Sequence, residues 1–97
     1  MKAKIVMTKG FNSLLKKGAF SDNDLFSILV QFTTNDWGIL PDEDKKLQDE
    51  LLLTPNSEYT ERFMGVYIIH NIKIWIFKEY DCYANIFLIT LLLPDEY

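Results

Sequence analysis

The chain has 97 residues, a hydrophobic content of 48% and a formal net charge of -4. This size and composition predict one globular domain with a single core, and they exclude a disordered or low-complexity chain. Because Cys82 is the only cysteine and the longest apolar run, residues 86–93, is too short to cross a bilayer, we expect no internal disulfide, no membrane span and a cytoplasmic location.

Charge is unevenly distributed along the sequence. The first 20 residues hold five lysines and no acid, whereas residues 21–60 hold nine acids against two lysines. An acidic surface disfavours phosphate backbones and favours basic protein partners. The lysines have a simpler interpretation, as solvated positions of one helix and one edge strand. They are Lys2, Lys4, Lys9, Lys16 and Lys17.

The first two predicted elements are a strand and a short helix. Alternating lysines at the start of residues 2–7 are typical of an edge strand whose exposed positions carry charge. Thr8 is expected to cap a helix over residues 9–17, and Gly18 provides its left-handed stop.

A second helix follows, with the strongest amphipathic pattern in the chain. Ser21 and Asp24 have the spacing of a capping box. Apolar residues then recur at helical spacing, with two further residues widening the stripe. The stripe consists of Leu25, Ile28, Leu29 and Phe32, widened by Phe26 and Val30.

A third helix is predicted over residues 40–53. Pro41 suits the first turn, and the three acids after it lie where the helix dipole favours negative charge. Leu47 and Leu51 are one turn apart and indicate its apolar side. Residues 54–57 have the composition of a turn.

From residue 62 onward the period changes from helical to alternating. Strands are predicted at residues 62–69, 72–78 and 85–93, with a tight turn at residues 70–71. Both faces of residues 72–77 are apolar, so this strand should be interior, and we expect Trp75 on the helix-covered face. The prediction is a single α+β domain spanning residues 1–97, with an antiparallel sheet of three to four strands covered by two to three N-terminal helices. Residues 94–97 are expected to be ordered, because Tyr97 has a ring to bury.

The sequence offers no constellation for catalysis, cofactor binding or metal binding. His70 is the only histidine and lies at a predicted hairpin tip without converging partners, and Cys82 is the only thiol. The four glycines are dispersed, so no phosphate-binding loop exists. These observations favour a binding protein over an enzyme.

The candidate binding surface is the acidic segment in the middle of the chain. Its carboxylates could mimic phosphates in front of a nucleic-acid-binding protein, although a solvated helix face is the commoner meaning. Trp37 is either a plug at the end of the core or an interface anchor, and we favour the plug. The candidate partner-binding residues are Asp36, Trp37, Asp42, Glu43, Asp44, Asp49 and Glu50.

RNA binding is the alternative. Aromatic stacking on single-stranded RNA needs exposed rings beside basic residues, and Tyr67, Trp75 and Phe77 could supply such rings. Their neighbours are apolar, which favours a place in the core. An RNA-binding regulator would therefore depend on the lysine-rich residues 1–20.

Three landmarks carry a family resemblance over nearly the whole chain: the turn of residues 36–38 with Asp44 after it, the strand of residues 73–76, and residues 92–97. Their order and spacing resemble a family of small uncharacterised proteins of phages, plasmids and other mobile elements. The family pattern is an Asp-Trp-Gly turn, a Lys-x-Trp-Ile strand and a C-terminal Leu-Leu-Pro-Glu-Glu-Tyr. Its Asp-Arg-Ser stretch after the Trp strand is replaced here by residues 80–83.

The resemblance implies a genomic context and no activity that transfers residue by residue. Mobile elements often carry small acidic proteins that bind and inhibit host defence enzymes. The expectation is therefore an anti-CRISPR-like inhibitor that binds a host defence nuclease through its acidic surface, without cofactor or metal.

Overall fold

A computed structural model describes residues 2–97 of the chain. Within these residues the fold has four strands, four α-helices and a final 3₁₀ turn. In chain order they are β1 (Ala3–Met7), α1 (Lys9–Lys16), α2 (Asp22–Thr33), α3 (Asp42–Leu52), α4 (Ser57–Thr60), β2 (Phe63–Ile69), β3 (Ile72–Asp81), β4 (Ile86–Leu92) and the 3₁₀ turn Pro94–Glu96. The α+β class is confirmed. The short helix α4 begins at the end of the turn predicted for residues 54–57 and was not itself predicted.

The four strands form one mixed sheet in the order β1-β4-β3-β2. β2, β3 and β4 are antiparallel, whereas β1 runs parallel to β4. The edge position of β1 and the interior position of β3 are confirmed. The predicted antiparallel arrangement is confirmed for β2, β3 and β4. The parallel pairing of β1 with β4 is the one departure from it, because an alternating pattern does not specify strand direction.

β3 supplies the centre of the core. Ile74 and Ile76 are fully buried and belong to the same apolar cluster as residues of α1 and α2. Opposite them on β2 are Tyr67 and Gly65, which share this face of the sheet. The helix-covered face of β3 is therefore its isoleucine face.

Trp75 lies on the other face, because side chains alternate along a strand. Its indole is half-buried and packs edge-on against Phe77 and Tyr97, with ring centroids 6.0 and 5.4 Å away. We expected Trp75 on the helix-covered face, with the helices of residues 9–53 against it. Of these helices, α3 lines a groove together with Trp75, whereas buried residues of α1 and α2 cluster with Ile74 and Ile76. Both faces of the strand are apolar, so the alternating pattern could not indicate which face those helices cover.

The predicted capping box of α2 is confirmed. The Ser21 hydroxyl accepts from the Asp24 backbone N–H at 3.0 Å, and the Asp24 carboxylate accepts from the Ser21 N–H at 3.0 Å. The inward stripe is narrower than predicted, because Phe26 and Val30 are exposed. Leu25, Ile28 and Phe32 alone are buried from this helix.

α3 is fixed along the free edge of β2 by a glutamine. Gln48 is buried; its side-chain amide donates to the Met64 carbonyl at 2.9 Å and accepts from the Met64 N–H at 2.7 Å. Two backbone bonds continue this contact, from the Val66 N–H to the Trp37 carbonyl and from the Ile39 N–H to the Val66 carbonyl. Leu47, which we expected on the apolar side of the helix, is 56% exposed.

The last residues contact the sheet and α1, but Tyr97 is 71% exposed, so the expectation that its ring is buried is wrong. Glu96 contacts the start of α1, and Tyr97 packs on Trp75 and Phe77. Within residues 2–97 no helix is both long and apolar enough to cross a membrane.

Candidate protein-binding surface

Four carboxylates of α3 project into solvent at the β2 side of the molecule. Because Gln48 fixes the helix to β2, the residues on its other sides remain accessible. The only two ion pairs in the described chain are Arg62–Glu79 and His70–Asp24, so none of these four carboxylates has a cationic partner there. We call this surface the acidic face of α3; it comprises Asp42, Glu43, Asp44 and Glu50, all exposed.

Trp37 belongs to the core and not to the surface. Its side chain is 4% exposed, and its ring lies between Phe32 and Phe63, with centroids 5.6 and 6.0 Å away. The indole N–H donates to the Asp49 carboxylate at 2.9 Å. Of our two interpretations, the plug is therefore confirmed, and Trp37 cannot be an interface anchor. Asp49 is the partner that satisfies its buried N–H.

Asp36 also has a role within the fold. Its carboxylate accepts from the Gly38 N–H at 3.1 Å and from the Gln31 amide at 3.2 Å, which fixes the turn before α3. Its backbone carbonyl accepts from the buried Tyr67 hydroxyl at 2.7 Å. Burial raises the pKa of Tyr67 above its ordinary range, and the nearby charge of Asp36 adds to the shift. Tyr67 is therefore a neutral donor beneath the turn.

Beside the acidic face lies an open groove of about 390 Å³. α3 forms one wall and the open face of the sheet forms the floor, with the C-terminal tyrosine at the far side. We call it the α3 groove; its main lining residues are Leu47, Leu51, Met64, Trp75, Phe77 and Tyr97, with Asp44 and Arg62 at its rim.

The two charged residues at the rim differ in their surroundings. The Arg62 guanidinium lies 4.3 Å from the Phe77 ring centroid, donates to the Tyr97 hydroxyl at 3.0 Å and pairs with Glu79 at 3.7 Å. Asp44 has no ion-pair partner among residues 2–97. The unbalanced charge of the groove is therefore negative.

His70 is exposed on the hairpin turn, where both it and Asn71 have positive φ. Its imidazole Nε2 lies 3.1 Å from the Asp24 carboxylate. The pKa of Asp24 is lowered, chiefly by the hydrogen bond from the Ser21 backbone N–H, with His70 contributing less. This contact ties the hairpin to the start of α2.

The lysines of the first 20 residues lie on β1 and α1 or directly beside them, and β1 is at the opposite sheet edge from β2 and α3. The rings we considered for RNA stacking are poorly placed, since Tyr67 and Phe77 are buried. A different aromatic set lies near Lys2, in a shallow groove lined by Tyr59, Tyr80 and Phe87. Tyr59 is exposed in this set.

Several residues of the α3 groove were not singled out from the sequence. Gln48 and Arg62 carried no recognisable signal, because their partners are distant in the chain. The sequence showed that the face of β3 with Trp75 and Phe77 is apolar, but it did not show which elements lie beside that face. Comparisons of the chain with protein-family models, curated proteins and solved structures find no match.

Proposed function

We propose that this chain is a non-enzymatic counter-defence protein of a mobile element, anti-CRISPR-like in action, that binds a host defence nuclease. The contact surface is the acidic face of α3. The observation that supports the proposal is a helix anchored by Gln48 on one side, with four exposed carboxylates on its other sides that form no ion pair within the described chain. Such a face can approach a basic nucleic-acid groove and compete with the natural ligand.

Some of these carboxylates also have a structural role in α3. Asp42, Glu43 and Asp44 occupy the first turn of α3, where they also stabilise the helix through its dipole. Lys45 and Lys46 offset part of the negative charge of the helix. Glu50, near the C-terminal end, has no such structural reason, since the dipole disfavours an acid there. Glu50 is thus the carboxylate that most favours a binding role.

The experiment compares two charge-reversed variants. Glu43→Lys/Glu50→Lys removes negative charge from the acidic face, whereas Glu58→Lys/Glu61→Lys makes the same change of net charge at exposed residues outside α3. A tagged wild-type protein is used to isolate the host partner, whose affinity is then measured at several salt concentrations. We expect the first variant to lose affinity and salt dependence and the second to keep both. Asp49 is left intact because it holds Trp37.

The proposal also predicts competition between this protein and nucleic acid for the partner. Full binding by Glu43→Lys/Glu50→Lys would show that the acidic face is not the contact surface. So would a complex that forms equally well on the nuclease already loaded with nucleic acid.

The alternative is an RNA-binding regulator of defence-gene expression that uses the lysines of residues 1–20. The groove near Lys2 favours it, because Tyr59 offers an exposed ring beside a cation. Neutralising Lys2, Lys4, Lys9, Lys16 and Lys17 tests this alternative. If that variant loses function while Glu43→Lys/Glu50→Lys keeps it, the RNA-regulator function replaces the first proposal.

A further inference from the structure

The α3 groove is an apolar surface that the fold leaves uncovered. Leu47 is 56% exposed on its wall, and Trp75 is half-buried on its floor. Ile74 and Ile76 belong to the buried core cluster. Trp75 only packs against that cluster, and Leu47 is not part of it. An open groove with an aromatic floor can take one or two large side chains, since its volume of about 390 Å³ lies within the usual range of ligand sites.

The charge around the groove specifies the chemistry of its occupant. Arg62 already has Phe77, Tyr97 and Glu79 as partners. Asp44, which also lines the groove, has no ion-pair partner among residues 2–97, and it belongs to the acidic face of α3. An occupant that brings positive charge to this rim gains attraction, and an anionic one is repelled.

We propose that the α3 groove binds a basic segment of the partner protein and buries one large apolar side chain of that segment against Leu47 and Trp75. Lysines or arginines beside that side chain contact Asp44 and the acidic face of α3. This rests on the proposed function in one respect, namely that the partner is a basic protein. It adds an apolar anchor, which supplies the affinity that exposed charges alone do not.

The test uses two synthetic peptides as probes. Both are lysine-rich with the same charge; one has a single central leucine and the other has alanine at that position. Binding is followed by two-dimensional NMR of ¹⁵N-labelled protein, in which Trp75 and the buried Trp37 give separate indole signals. We expect the leucine peptide to bind roughly tenfold more tightly than the alanine peptide, because it buries additional apolar side-chain area. The Trp75 indole signal should move and the Trp37 signal should not.

Four variants, one of them a control, locate the contact. Leu47→Gln should weaken the leucine peptide severalfold and leave the alanine peptide unchanged. Leu53→Gln is the matched control, because Leu53 is 85% exposed and lies outside the groove. Asp44→Asn should weaken both peptides and reduce their salt dependence. Glu43→Lys/Glu50→Lys should weaken the binding of both peptides equally. The ratio of the two affinities therefore measures the contribution of the groove, and their absolute values measure the contribution of the acidic face.

The proposal is overturned if the two peptides bind alike, if neither binds, or if Leu47→Gln binds the leucine peptide as the wild type does. A dimer in sedimentation that Leu47→Gln dissolves would assign the groove to a second copy of the chain. Single-stranded RNA that moves the Trp75 signal would assign it to nucleic acid. If the two peptides bind equally but the affinity of the native partner still depends on the charge of the acidic face, the groove proposal fails and the acidic-face proposal is kept.

Discussion

The carboxylate of Glu96 accepts a hydrogen bond from the backbone N–H of Gly10, at 2.8 Å, and so caps a helix that begins 87 residues before it. The same carboxylate accepts from the Thr8 hydroxyl and from the Leu93 N–H. Thr8 occupies the N-cap position but makes no side-chain cap bond of its own, contrary to the capping role that we predicted for it. We call this arrangement the Glu96 clasp.

The Glu96 clasp should make stability depend on pH. The hydrogen bond from the Thr8 hydroxyl is the main cause that lowers the pKa of Glu96, and backbone N–H groups add to it. A carboxyl whose pKa is lowered on folding contributes stability above its ordinary pKa of 4.5, and that contribution disappears as the pH falls through the folded-state value. The melting temperature of Glu96→Gln should therefore lie below that of the wild type at neutral pH, and the difference should shrink in acid. Asp95→Asn is the control and should show no such convergence.

Gly10 should show a substitution effect that depends on Glu96. A Cβ at this position would lie 2.6 Å from Glu96 Oε2, so the carboxylate would have to move away from the N–H that it caps. In the wild type, Gly10→Ala should therefore stabilise little or destabilise. In a Glu96→Ala background the same change should stabilise by up to about 1 kcal/mol through helix propensity. Urea unfolding of the four proteins measures the difference, and equal effects in both backgrounds would contradict the clasp.

Ile76 should matter more to stability than Trp75. Ile76→Ala removes a fully buried side chain and should cost about 2–5 kcal/mol. A Trp under α1 and α2 would cost about 3–5 kcal/mol on truncation. Because Trp75 is only partly buried in the α3 groove, Trp75→Ala should cost less than Ile76→Ala in urea unfolding. The reverse order would mean that α1 and α2 cover the other face.

Gln48 should be the most sensitive polar residue of α3. Gln48→Ala leaves both the N–H and the carbonyl of Met64 without partners in a partly buried place, which should cost about 2–4 kcal/mol. Lys46→Ala, on an exposed position of the same helix, should change stability by less than about 0.5 kcal/mol. Hydrogen exchange adds a local readout, since the Met64 amide should lose protection only in the Gln48 variant. An unaltered Met64 amide would show that α3 is held elsewhere.

Local chemistry explains which parts of the fold could be predicted. The capping box of Ser21 and Asp24, the left-handed stop at Gly18 and the turn at Asn71 each depend on residues adjacent in sequence, and all three are confirmed. β3 was predictable as interior because both of its faces are apolar. Because both faces are apolar, the pattern could not show that α1 and α2 cover the isoleucine face while Trp75 lies beside α3.

The features that sequence patterns missed depend on partners far apart in the chain. From the sequence Gln48 is typical of a solvated helix residue, and its two bonds to Met64 are visible only in the fold. Likewise, no sequence signal connects Glu96 with the start of α1. The residues of the candidate site also differ in whether the sequence could predict their surroundings. Exposure of Asp42, Glu43, Asp44 and Glu50 follows from their spacing, whereas the contact of Asp49 with Trp37 requires the folded loop.

The glutamine contact on β2 also limits how copies of this chain can associate through their sheets. Strand addition needs a row of free backbone groups, and on β2 those of Met64 and Val66 are already bonded to α3 and its preceding loop. β1 is the more accessible edge of the sheet, and Lys4 is one of its exposed positions. Edge-to-edge pairing of two copies should therefore involve β1 in preference to β2.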